Sequence, residues 1–127
     1  MNPPIPAVLA ELAALMAKNA TPGVPEAERA SDLGLSAMLL GIAAEMWDRG
    51  AAVLVEENRA LRALLGESGD DGDLRLSALK AENDRLRGAL IEAHAAAEAA
   101  GDAARCEAIW AELAASTERR RVSTAPV

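Results

Sequence analysis

Three features of the sequence predict an all-α fold: an antiparallel helical bundle of about four helices, built on a long central coiled-coil-like helical hairpin. Alanine and leucine dominate with abundant Glu and Arg, while Phe and Tyr are absent and β-branched residues are few, which favours helix and leaves little from which to build a sheet. Apolar residues recur at spacings of three and four rather than two. Proline and glycine cluster at a few places that divide the chain into helical segments.

The first helix is expected over residues 5–19. Ile5, Val8, Leu9, Leu12, Leu15 and Met16 form its apolar stripe, Glu11 and Lys18 lie opposite, and TPGVP at Thr21–Pro25 stops it. The second helix is expected over residues 31–65, with a start between Pro25 and Ser31 and with Ser31 or Asp32 as cap or restart. The third, over residues 74–100, follows Asp73 as N-cap. Gly101 and Asp102 then offer a C-cap and an N-cap in succession, and a fourth helix over residues 103–118 carries Cys106, Ile109, Trp110 and Leu113 on one stripe. Residues 1–121 form a single domain in this reading, and 122–127 a disordered tail.

One phrase is written twice. EENRALRAL at Glu56–Leu64 and AENDRLRGAL at Ala81–Leu90 share E-N-x-x-L-R and flank the turn-like run GESGDDGD. Read in heptads, the second helix has a seam of Leu40, Ala44, Trp47, Ala51, Leu54, Asn58, Leu61 and Leu65. The third has Leu76, Leu79, Asn83, Leu86 and Leu90, running on into alanines. Each seam holds one asparagine at an a position, where a lone polar residue fixes register at some cost in stability. A reversal at GESGDDGD sets Leu65 level with Leu76, Leu61 with Leu79, Leu54 with Leu86 and Ala51 with Leu90, because each pair of residue numbers adds to nearly the same total. Asn58 then lies level with Asn83, as an amide pair that sets the hairpin register.

The same reversal places Gly34, Ala37, Gly41 and Ala44 opposite Ala97, Ala100 and Ala104, small residues that permit close approach. A further stripe of Leu35, Leu39, Ile42, Met46 and Val53 is left for the first and fourth helices to cover. Beyond Val53 the outer residues, among them Glu56, Glu57, Arg62, Glu82 and Arg85, are polar, as a projecting two-helix arm requires.

Charge and motif content narrow the function. A net charge of −7 and a pI near 4.7 argue against a nucleic-acid partner, and the basic run Arg119–Arg121 reads as a solvated helix end. The apolar start lacks a basic leader and carries Glu11, and the apolar run from Leu33 to Trp47 is too short to span a bilayer, so a cytoplasmic protein without a membrane span is expected. His94 is the single histidine; with Glu98 it supplies two ligands where a catalytic zinc site uses three. Cys106 has no histidine partner in the pattern, and Asp70, Asp71 and Asp73 lack calcium-loop spacing. No catalytic, cofactor or metal residue is assigned.

What remains is a non-enzymatic interaction, accessory or regulatory protein, expected to form a homodimer or higher homo-oligomer. Its contact residues are expected to be Leu39, Ile42 and Met46 on the second helix, with Arg59, Arg62, Arg85 and Arg87 on the arm. The alternative is a small-molecule-binding bundle with an apolar pocket lined by Met38, Trp47 and Trp110.

Overall fold

A computed structural model describes residues 5–122 and contains four helices: α1 (Ile5–Asn19), α2 (Glu26–Leu65), α3 (Leu76–Ala100) and α4 (Ala103–Arg119). The protein is all-α, and no strand occurs among the described residues. It comprises two compact units, one reaching to Arg49 and the other spanning Gly50–Arg121, with α2 contributing to both. Residues 123–127 of the expected tail lie outside the described residues.

In the first unit α1 and α2 form an antiparallel hairpin. Asn19 and Lys18, at the end of α1, bond Asp32 near the start of α2, while Val8 and Leu12 pack with Leu39 and Ala43 further along. The turn has clear local causes. Thr21 Oγ1 donates to the Lys18 carbonyl at 2.6 Å and Asn19 Nδ2 to the Leu15 carbonyl at 2.9 Å, so side chains close the exposed carbonyls of α1. α2 begins five residues before Ser31. Its first bond runs from the Arg29 amide to the Pro25 carbonyl, and Glu26 and Glu28 sit in a first turn whose dipole favours acids. Asp32 lies inside α2 rather than at its start, and its carboxylate accepts from Lys18 and Asn19. Ser36 is buried and donates to the Asp32 carbonyl within the helix.

The second unit joins the end of α2 to α3 and α4. α3 and α4 run antiparallel, since Asn83 meets Arg120, Arg87 meets Ser116 and His94 meets Trp110. Leu61, Leu86, Leu90 and Ile109 form the core, flanked by Leu64, Leu65 and Leu113. Each buried aliphatic side chain here contributes roughly 1.5–3 kcal/mol relative to exposure.

Both α2 and α3 end in the same device. At Gly66 (φ 71°) and Gly101 (φ 67°) the chain turns left-handed, and the next amide, of Glu67 or Asp102, bonds back to the carbonyl of Arg62 or Ala97. Asp102 then caps α4 by accepting from the Arg105 amide at 3.0 Å. Asp73 lies two residues before the N-cap of α3, Arg75, and accepts from its amide at 3.0 Å.

GESGDDGD does not close α2 and α3 into an antiparallel hairpin: α4 runs antiparallel to α2, since Glu57 meets Arg120 and the Leu64 carbonyl meets Arg105, so α2 and α3 run parallel and the connection passes back along α2, with Asp71 against Asn58 and Arg62. Leu61 consequently groups with Leu86 and Leu90, whereas a plain reversal set Leu79 opposite Leu61 and Leu86 opposite Leu54. The region beyond Val53 is not a two-helix arm, because α4 packs on it through Ile109 and Arg120. Gly34 has nothing within 4 Å of an added Cβ, so close packing does not account for it.

Candidate functional site

Two features stand out chemically, one in each unit. The first is a buried polar network at the junction of α2, α3, α4 and the 66–75 connection. Glu57 is fully buried; its carboxylate accepts from Arg87 Nη1 at 2.7 Å and from Arg120 Nε and Nη2 at 2.8 and 2.7 Å. Arg120 Nη2 also donates to Asn83 Oδ1 at 3.0 Å, and Asn83 Nδ2 donates to Asn58 Oδ1 at 2.9 Å. Asn58 Nδ2 in turn reaches the Leu79 carbonyl at 3.3 Å and Asp71 Oδ1 at 3.1 Å. Arg62 closes the chain on Asp71 and Glu82, at 2.7 and 2.9 Å.

The electrostatics follow from these contacts. Burial pushes the Glu57 carboxyl up, but the hydrogen bonds and charge of Arg120, with those of Arg87 and Asn83, outweigh it and hold the group down at about 2. Arg85, opposed by partial burial and helped by Arg62, likewise holds Glu82 at about 2. Asp71 raises the Arg62 guanidinium above its ordinary value. Such a network fixes geometry: each member is positioned by at least one partner from another segment, and removing one leaves buried groups unpaired.

The second feature is an apolar seam on the first half of α2. Leu33, Leu40 and Trp47 recur at sevens with Ala37 and Ala44 between them, and all five are exposed, the three large residues by 56%, 54% and 77%. The same heptad frame continues into the buried Leu54, Asn58 and Leu61. The face of α2 turned towards α1 is a different one, carrying Ser36, Leu39, Ala43 and Met46.

The residues singled out in the sequence are thus redistributed. Asn58 and Asn83 meet directly. Leu39 packs against Val8 and Leu12, and Ile42 and Met46 are half-buried, so these three do not form an open contact face. Arg62, Arg85 and Arg87 are engaged within the chain: Arg62 is held by Asp71 and Glu82, Arg85 by Glu82 and Glu67, and Arg87 by Glu57. Arg59 is exposed. Met38, Trp47 and Trp110 are all more than half exposed, which is the reverse of the burial that an enclosed apolar pocket provides.

Glu57, Asp71 and Arg120 carry the network but read in sequence as outer face, solvated turn and helix end. Nothing local marks them, because their partners lie up to 63 residues away. Arg119 pairs with Glu112 and Arg121 with Glu118, so carboxylates accompany the whole basic run. His94 is half-buried and stacks edge-on to Trp110 at 5.6 Å, with Nε2 3.8 Å from the Glu98 carboxylate; Cys106 is half-buried. Among the described residues no group of three or more His, Cys, Asp or Glu is placed to hold a metal, and no helix is long and apolar enough to cross a membrane. The chain matches no protein-family model, no curated protein and no solved structure.

Proposed function

We propose that this chain is a non-enzymatic helical interaction protein that associates with other polypeptides by helix-to-helix packing and functions as an oligomer. The observation that carries the reading is the exposed seam of Leu33, Leu40 and Trp47. Contiguous exposed apolar residues at heptad spacing are costly to leave in water and are the usual mark of an interaction face. The buried network of the second unit supports the same reading, because its charged groups are engaged with one another rather than directed at a substrate.

Native mass spectrometry of the protein purified gently from its own host tests this. Multiples of the 13.2 kDa chain, or that chain with another polypeptide, are expected. A bare monomer with no associated polypeptide contradicts the reading, and a monomer carrying a few hundred daltons of ligand replaces it with the small-molecule alternative.

A further inference from the structure

The α1/α2 hairpin has two distinct sides. On α1 the buried residues Val8, Leu12 and Leu15 face α2, while Leu9 and Met16 are exposed about a quarter-turn further round the helix. On α2 the face towards α1 centres on Leu39 and Ala43, and the seam of Leu33, Leu40 and Trp47 again lies about a quarter-turn further round. Antiparallel helices rotate in opposite senses when viewed along one axis, so these two quarter-turns point to the same side of the hairpin. By the same geometry Glu11, Lys18, Glu45 and Arg49 fall on the opposite side. One side therefore carries two apolar stripes with no charge in their middle.

We infer that this surface is the docking site for a second copy of the same chain, and that two hairpins pack face to face into an intermolecular four-helix bundle. The inference rests on the interaction reading above and specifies its surface and its occupant. Two observations select a second copy. The α2 stripe is continuous with the seam that α2 already buries within its own chain at Leu54, Asn58 and Leu61, so it is helix-packing surface rather than a ligand groove.

It is also self-complementary in size. A two-fold axis in the plane of the surface, level with Leu12 and Leu39, sets Leu33 opposite the partner's Ala44, Ala37 opposite the partner's Leu40 and Trp47 opposite the partner's Ala30. The same axis sets Leu9 opposite the partner's Met16 on α1. Large thus meets small in every α2 layer, which is how facing helices interdigitate, while the same axis brings the large apolar Leu9 and Met16 together on α1, so one axis gives apolar contacts along both stripes, as an isologous dimer requires. The charges that share this side, Glu26, Arg29 and Asp48, lie only at the two ends of the α2 stripe.

Sedimentation equilibrium of the full chain is the test. The wild type is expected to sediment at twice 13.2 kDa. Leu40→Glu and Trp47→Glu, at positions already exposed in the single chain, should keep their helicity but associate ~100-fold more weakly. Ile91→Glu, at an exposed apolar position on α3, should dimerise normally. Leu40→Ala and Ala37→Leu should each weaken the dimer, and the double swap should restore it, because position 37 faces the partner's position 40. A wild-type monomer at about 100 µM overturns the inference. A dimer indifferent to Leu40→Glu and Trp47→Glu overturns it while leaving the broader interaction reading standing.

Discussion

Asn83 donates a 2.9 Å hydrogen bond from Nδ2 to Oδ1 of Asn58, and both side chains are buried. In an isolated two-helix seam, replacing such an amide by leucine is nearly neutral or stabilising, since only register is lost. Here Asn58 also donates to Asp71 and to the Leu79 carbonyl, and Asn83 accepts from Arg120. Asn58→Leu is therefore expected to destabilise by about 2–4 kcal/mol, because several buried groups lose a partner at once. Urea denaturation measures this; an unchanged or raised midpoint would show that the amide sets register and nothing more.

Glu57 makes the same junction sensitive to acid. Its carboxyl lies at about 2 in the folded protein against an ordinary 4.5. A lowered carboxylate value means that the stabilisation is fully present above about 4.5 and is lost as pH falls towards 2. Glu82, also held at about 2, adds to the loss over the same window. Helicity followed by circular dichroism should give a wild-type stability that declines between pH 4.5 and pH 2. Glu57→Gln should be less stable at pH 7 by about 2–4 kcal/mol and show a shallower decline.

Two glycines should respond in opposite directions. Gly88 lies inside α3, is exposed, and has nothing within 4 Å of an added Cβ. Gly88→Ala is expected to stabilise by about 0.5–1 kcal/mol, raising Tm by about 2–5 °C. Gly101 holds φ 67° at the end of α3, where a Cβ is disfavoured, so Gly101→Ala should cost about 1–2 kcal/mol. Equal thermal shifts in the two variants would contradict the cap assignment.

These residues show what the sequence makes legible. The helical class was readable because periodicity and punctuation are local: Gly101 and Asp102 declare a helix end and a helix start side by side. The repeated phrase does bring Asn58 and Asn83 together, but between parallel helices, because GESGDDGD does not simply turn the chain. Asp71 instead folds back against Arg62 and Asn58, a contact no local pattern announces. Glu57 and Arg120 were opaque for the same reason, since a buried ion pair between distant charges looks in sequence like two solvated ones. The heptad seam was visible from Leu40 to Leu65, yet its pattern alone does not tell which half is covered by the chain's own helices.

That half-exposed seam is where the functional proposal stands, and Trp47 reports on it directly. With Trp110→Phe, Trp47 becomes the single tryptophan of the chain, and acrylamide quenching of its fluorescence can be followed against protein concentration. Association through the α2 seam requires quenching to fall as concentration rises, and Leu40→Glu to abolish that protection. Quenching that stays at the level of a free indole across the whole concentration range would mean that Trp47 remains in water and that the seam is not a contact surface.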